Sequence, residues 1–232
     1  MEVGKMVTRD ILPRARALAP QAASGFFRTV VSTAMEGKSR FLGARAYAER
    51  ELAKANGDAA VAIGTVIEQH TAMAGGQGFL TSLGGLLLLP ISMPANLTGL
   101  AVLQVRMVGA IAHLRGYDVD DSRVRTAVTA VLLGEDTVDD MVKKGKLPST
   151  PFAIATAPVH DPELDKKLAT EISAALGLKV GGKRLGLVAA RRIPLLGGGV
   201  GAVVDGVETY RVGKYAEKAL PRRHKALPAD QT

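Results

Sequence analysis

Acidic residues gather on either side of one predicted helix, and clustered carboxylates are the ligands that Mg²⁺ and other hard cations prefer. The candidate ligands are Asp118, Asp120, Asp121, Glu135 and Asp136. The helix between the two groups would be ~20 Å long, so the groups meet only if the flanking turns fold together. Capping of helix N-termini explains the same residues more simply. The sequence therefore favours caps, and no metal is predicted.

Arg106 is the next candidate for a functional residue. The residues before it, 71–105, include no charged side chain. A guanidinium in such surroundings needs a carboxylate or water, since an unpaired buried charge costs several kcal/mol. We predict a structural ion pair in which Asp118, Asp120 or Glu68 supplies the carboxylate. The alternative is that Arg106 binds a ligand inside an apolar pocket.

A basic segment precedes the glycines near the end of the chain, with cations at Lys179, Lys183, Arg184, Arg191 and Arg192. Apolar residues lie between these cations, so the segment could rest on anionic lipid, where each cation contributes ~1 kcal/mol. A solvated helix face explains the segment equally well. The net charge of +8 favours an anionic membrane surface or a membrane protein complex as partner. With 4% aromatic residues and no tryptophan, no nucleic acid partner is expected.

Several kinds of catalytic site are excluded or disfavoured by the sequence. It contains no cysteine, so a thiol nucleophile, a thiolate metal site and a disulfide are impossible. No Gly-x-Ser-x-Gly pentapeptide occurs, and no two of the four histidines lie at metal-ligand spacing. The glycine clusters at 75–78 and 197–201 do not continue into Gly-Lys-Ser or Gly-Lys-Thr, as a phosphate loop would. No catalytic residue and no cofactor is therefore predicted.

The elements that must position these residues are helices, above all those of the uncharged stretch 71–105. Exposing that stretch to water would cost tens of kcal/mol at ~25 cal/mol per Å², so it is buried in protein or in lipid. Pro90 and Pro94 should break it into two helices. The first, Gly78–Leu89, would be only ~18 Å long, against ~30 Å of bilayer hydrocarbon. We predict a helical hairpin in the core of the domain, and a re-entrant or surface-inserted membrane hairpin is the alternative.

The predicted fold is all-α, a compact multi-helix domain around this central apolar hairpin at about residues 78–115. Apolar residues recur with a period near 3.6, and no alternating strand pattern occurs. Two helices broken near Gly37 precede the hairpin, and the second hairpin helix closes near Gly116.

Three regions follow from composition: a mobile N-terminal arm at residues 1–20, one helical domain at 21–220 and a polar C-terminal tail at 221–232. The first residues contain no apolar signal segment. The protein is therefore expected in the cytoplasm, peripherally bound at the inner face of the plasma membrane.

Glycines, prolines and polar residues around the hairpin follow a distinctive order. A glycine-rich lead, two prolines four residues apart, an arginine in an apolar helix and a closing Gly-Tyr-Asp resemble the central signature of the EcsC family of bacterial proteins. The residues that carry the resemblance include Gly84, Gly85, Pro90, Pro94, Arg106, Gly116, Tyr117 and Asp118. The resemblance implies an association, through the family's founding member, with an operon for an ABC transporter linked to secretion and protein processing. It implies no established activity.

These observations predict a non-enzymatic helical accessory protein that associates peripherally with the cytoplasmic membrane or with a membrane transport or secretion complex. One alternative is a metal-dependent hydrolase that uses the clustered carboxylates, with the proline-rich loop at 146–161 as a lid. Another is a lipid-binding protein with an internal pocket lined by the hairpin. The oligomeric state is not predicted.

Overall fold

A computed structural model describes residue 25 and residues 28–83, 85–172 and 197–223; at 78–97 and 197–202 it describes the backbone alone. The predicted N-terminal arm and most of the predicted C-terminal tail lie outside these residues. Helices dominate the described chain, so the predicted all-α class is confirmed. The elements in order are α1 (28–36), β1 (Gly37–Lys38), β2 (Phe41–Leu42), α2 (Ala44–Lys54), α3 (Ala59–Leu83), α4 (Gly85–Leu114), α5 (Ser122–Val131), α6 (Glu135–Lys143), α7 (Pro151–Ala155), α8 (162–172) and α9 (Gly197–Ala219).

The break near Gly37 contains a feature that the periodicity did not predict. β1 and β2 form a two-residue antiparallel ladder, with Gly37 opposite Leu42. Gly37 has a φ of +80° and Ser39 a φ of +55°, so both occupy the left-handed region that tight turns require. The ladder carries the Phe41 side chain over the helices that follow.

The central hairpin is formed by α3 and α4, which run antiparallel, as the contact between His70 and Arg106 requires. The predicted break at Pro90 is wrong, because α4 is continuous from Gly85 through both prolines. A proline removes only one hydrogen bond, and Pro90 lies near the start of the helix, where few bonds exist to be lost. Leucines at 86–89 are good helix formers and keep the remaining backbone in place.

The predicted close of this helix near Gly116 is confirmed. Gly116 has a φ of +89°. Its N–H donates to the His113 carbonyl at 2.9 Å, and the Tyr117 N–H donates to the Ala112 carbonyl at 3.0 Å. These two bonds form a Schellman motif, in which glycine takes the conformation that other residues avoid.

α9 packs along α3, and small residues allow a close approach. A Cβ atom at Gly213 would lie 3.0 Å from Ile67, and one at Gly206 would lie 3.6 Å from the Thr71 carbonyl. Because the higher number in α9 faces the lower number in α3, the two helices are antiparallel. The N-terminal part of α9 therefore extends toward Leu83, the end of α3.

The second half of the described chain forms short capped helices. Asp121 caps α5 by accepting a hydrogen bond from the Arg123 N–H at 2.8 Å. Thr150 caps α7, which lies inside the segment 146–161 that was predicted to lack structure. That prediction is wrong because Thr150-Pro151 supplies a cap and a proline at the first helical position.

Two hydrogen bonds, one of them from the Tyr117 hydroxyl, hold residues 221–223 against the end of α4. This hydroxyl donates to the Pro221 carbonyl at 2.9 Å, and the Arg223 N–H donates to the Arg115 carbonyl at 2.8 Å. Replacing the buried Tyr117 by phenylalanine should lower the free energy of unfolding by about 1–2 kcal/mol, since the carbonyl loses its partner. Denaturant unfolding measures this, with Tyr210→Phe as the matched control because Tyr210 is half exposed. Equal stability of both variants would contradict the prediction.

Candidate functional site

Arg106 lies in the last third of α4 and is 5% exposed. Its Nε donates to His70 Nε2 at 3.0 Å, and Nη2 lies 3.7 Å from the Met73 sulfur. The guanidinium carbon lies 4.1 Å from the centre of the Phe41 ring and 4.6 Å from that of Tyr47. Cation–π contacts of this kind stabilise a desolvated guanidinium. Arg106 is thus enclosed by two rings, an imidazole and a thioether.

The predicted ion pair of Arg106 with Asp118, Asp120 or Glu68 is wrong. Asp118 and Asp120 both bind Arg45 instead, and Glu68 is exposed. Within the described chain, no carboxylate lies at ion-pair distance from Arg106. A hairpin folded at Pro90 and Pro94 would bring residues near 78 to Arg106, whereas the real turn brings His70. The sequence offered no signal for this pairing once the turn was misplaced.

His70 is fully buried, and its hydrogen bonds fix its tautomer. Nε2 accepts from Arg106, so the proton is on Nδ1, which donates to the Val66 carbonyl at 2.7 Å. Burial, and then the nearby Arg106 charge, lower the pKa of His70 to about 3. A neutral imidazole cannot balance the charge of Arg106. Burial also lowers the pKa of Arg106, but a guanidinium remains protonated at neutral pH.

A second set of polar side chains continues from this cluster. The Tyr47 hydroxyl donates to Gln69 Oε1, and Gln69 Nε2 donates to Glu51 Oε2 at 3.3 Å. Glu51 is buried and also accepts from Arg50 Nε at 2.8 Å and Lys54 Nζ at 3.0 Å. Burial alone would raise the pKa of Glu51, but the bonds from Lys54 and Arg50 hold it below its ordinary value. The one buried carboxylate here is therefore already neutralised by two cations.

These residues line an open cavity of about 430 Å³. Arg106 forms part of its floor, and Arg40 and Arg50 stand on its walls. Arg40 is exposed, while the Arg50 guanidinium lies 4.6 Å from the centre of the Tyr47 ring. The cavity thus presents three arginines. The sequence pattern points to Arg106 but not to Arg40 or Arg50, because an arginine among other polar residues carries no local signal.

The acidic candidates for a metal site serve other roles. Asp118 and Asp120 pair with Arg45, Asp121 caps α5, and Glu135 pairs with Lys218. Asp136 is exposed in the first turn of α6. In the part of the chain that the structure describes, no three His, Asp or Glu side chains are grouped as a metal ion would need. The capping interpretation fits Asp121, whose pKa is lowered by its hydrogen bond from Arg123.

The basic segment lies outside the described residues, and so does Gly84. The cations of this segment are Lys179, Lys183, Arg184, Arg191 and Arg192. The remaining residues of the resemblance fall in α4 and its close: Gly85, Pro90 and Pro94 lie in the first part of the helix, and Gly116, Tyr117 and Asp118 follow its end. Arg106 therefore lies between two parts of the signature, on the same helix.

One exposed surface of α9 is apolar. We call it the apolar stripe: Val203, Val204, Val207 and Tyr210, all of them well exposed. The spacing places these side chains on one side of two helical turns. Asp205 and Thr209, between them in sequence, are buried on the opposite side. Nothing in the described structure covers the stripe.

None of the described helical segments combines the length and the apolar character that crossing a membrane requires.

The comparisons with known proteins give one significant match. A search of curated proteins and a search of solved structures found nothing similar at a significant level. The family model of the EcsC protein family matches residues 45–224, which is most of the chain. This range runs from the second residue of α2 through α9, and includes the apolar stripe and the arginine-lined cavity apart from Arg40, Phe41 and Leu42. The chain belongs to the EcsC protein family.

Proposed function

We propose that this protein is a non-enzymatic helical accessory protein that binds peripherally to the inner face of the cytoplasmic membrane, on its own or at a membrane transport complex. The observation that carries the proposal is the apolar stripe. A helix surface with three valines and a tyrosine gains free energy when an apolar phase covers it, at ~25 cal/mol per Å². A bilayer interface supplies such a phase.

The position of the stripe supports lipid as its partner. Since α9 and α3 are antiparallel, the stripe lies toward the end of the bundle where α3 gives way to α4. The residues around that turn, 78–97, carry no charge, and neither do residues 197–204 at the start of α9. Charged pairs such as Lys218 with Glu135 lie at the opposite end of α9. The bundle therefore has an uncharged end and a charged end.

The sequence adds an electrostatic component to the proposal. Four residues, 193–196, separate Arg192, the last cation of the basic segment, from Gly197, where α9 begins. Cations beside an apolar surface are the usual composition of an interfacial membrane site, because they attract anionic headgroups while apolar side chains enter the acyl boundary.

The two alternatives have no comparable support. Among the candidate ligands, Asp118, Asp120 and Glu135 pair with cations and Asp121 caps α5, and the described residues hold no group of three that could form the hydrolase's metal centre. A carrier needs a closed apolar cavity, whereas the described cavity beside Arg106 is open and lined by arginines. Peripheral binding is therefore the function that we propose.

Vesicle sedimentation tests the proposal. The protein should pellet at low ionic strength with vesicles of phosphatidylcholine and phosphatidylglycerol, and much less with phosphatidylcholine alone. Val207→Glu should weaken this binding by about tenfold or more, since losing valine burial and adding a repelled charge together exceed ~1.4 kcal/mol. Changing Lys183, Arg184, Arg191 and Arg192 to glutamate should also abolish it, and high salt should release most of the protein.

Val159→Glu is the matched control, because Val159 is 75% exposed but lies before α8, away from α9. It should bind like the parent. Failure of the parent to bind anionic vesicles, or undiminished binding of Val207→Glu, would contradict the proposal. Persistent binding through high salt and carbonate would indicate that the hairpin end enters the hydrocarbon, since apolar insertion has no counterion to compete with.

A further inference from the structure

The geometry points to a binding site for a phosphate group in the arginine-lined cavity, with Arg106 as its central donor. A guanidinium offers five N–H groups, and the hydrogen bonds with described residues account for two of them. Arg106 is 5% exposed and lines the cavity. It is therefore a buried cation that faces an opening.

The charge around Arg106 is not balanced by the described protein. His70 is neutral, Met73 is uncharged, and the rings of Phe41 and Tyr47 offer only their quadrupoles. The unpaired burial of a full charge costs several kcal/mol. An anion entering from the cavity would remove this cost, whereas a cation or a neutral apolar ligand would not.

The other arginines fit the same ligand. Arg40 lines the cavity and is exposed, and Arg50 lines it while its Nε donates to Glu51. Counting Glu51 against Arg50 leaves Arg40 and Arg106 as excess positive charge at the cavity. Planar guanidinium groups recognise phosphate through paired N–H···O bonds, which makes arginine the preferred residue for such sites.

The phosphate could belong to a soluble ester or to a lipid headgroup. If the proposed membrane function holds, the bundle places the cavity suitably for a headgroup. From Met73 to Leu83, α3 extends ~15 Å at 1.5 Å per residue, which equals half of a ~30 Å hydrocarbon core. A hairpin end that entered one leaflet would then bring Arg106 to the level of the phosphates. The site for phosphate as such does not depend on this step.

Calorimetric titration with inorganic phosphate, and separately with glycerol 3-phosphate, at constant ionic strength tests the site. The parent protein should bind phosphate, and Arg106→Gln should bind about tenfold more weakly or not at all, as expected for losing a charge-assisted pair. Arg40→Gln changes an exposed residue and leaves the core intact, so its weaker binding would report on the site even if Arg106→Gln folds poorly. Arg45→Gln is the matched control, because Arg45 pairs with Asp118 and Asp120 outside the cavity.

Vesicles of phosphatidylcholine with phosphatidylglycerol separate the two sources of phosphate. Binding of inorganic phosphate or glycerol 3-phosphate in solution indicates a free ligand. Vesicle binding that depends on Arg40 and Arg106, without binding of the soluble probes, indicates a headgroup; either result supports the site. If neither soluble phosphate nor vesicles respond to Arg40→Gln and Arg106→Gln, the site is overturned. In that case a vesicle response to Val207→Glu would still leave the proposed membrane function standing.

Discussion

Replacing Gly43 by alanine is expected to lower the free energy of unfolding by about 3 kcal/mol, among the largest effects of any single methyl group in this chain. A Cβ atom at Gly43 would lie 2.3 Å from the Met35 carbonyl oxygen and 2.6 Å from the Glu36 carbonyl carbon. Both are backbone atoms, so no side-chain rotation can relieve the overlap. The connection between β2 and α2 must move instead.

That movement should also reach the candidate site. Gly43 lies between Phe41 and Tyr47, whose rings flank the Arg106 guanidinium, and its carbonyl accepts the Tyr47 N–H at 2.9 Å. Gly64→Ala is the matched control, since nothing lies within 4 Å of its would-be Cβ in α3. There alanine should be neutral or stabilising by up to ~1 kcal/mol. Denaturant unfolding of both variants measures the difference in the free energy of unfolding. Equal stability would contradict the prediction, because it would mean that the backbone around Met35 moves at little cost.

The stability of the protein should fall as the pH is lowered from 6.5, and His70 should be the main cause. In the folded chain the pKa of His70 is about 3, against an ordinary value of 6.5. Below pH 6.5 the unfolded chain takes up a proton that the folded chain does not bind, so protonation favours unfolding. The slope rises to about 1.4 kcal/mol per pH unit once the pH is well below 6.5, so the expected loss between pH 6.5 and 4.5 is roughly 2 kcal/mol.

Denaturant unfolding at several pH values above 4.5 isolates this contribution. Glu51 and Asp121, whose pKa values are lowered, lose their stabilising effect only at lower pH. His70→Gln should remove most of the slope, because glutamine can accept from Arg106 but does not titrate in this range. His113→Gln is the control: burial lowers the pKa of His113 as well, but its side chain is partly exposed. A slope that survives His70→Gln would contradict the assignment.

Local chemistry made several features of the fold predictable. The close of α4 at Gly116, the cap of α5 at Asp121 and the break near Gly37 depend on backbone dihedrals and hydrogen bonds within about four residues. The all-α class follows from the spacing of apolar residues, which recur about every 3.6 residues within each helical segment. The order of glycines, prolines and one arginine likewise predicted the family.

The errors arose where distant segments meet. Pro90 and Pro94 were expected to end a helix, but the effect of a proline depends on how much of the hydrogen-bond ladder surrounds it. With the turn at the end of α3, His70 lies against Arg106, and no carboxylate of the described chain does. Asp118 and Asp120 pair with Arg45 of α2, which is also far from them in the chain.

The sequence by itself determined that Arg106 lies on a nearly uncharged helix and needs a partner for its charge, because none of the residues 71–105 before it is charged. Only the tertiary structure decided what encloses it: Phe41 from the β-ladder, Tyr47 from α2 and His70 from α3. Tertiary packing likewise covered Thr209 and left Val207 on the opposite side of α9 exposed. The physical reason is that burial and charge balance depend on contacts between residues far apart in the chain, whereas helix formation and capping depend on neighbours.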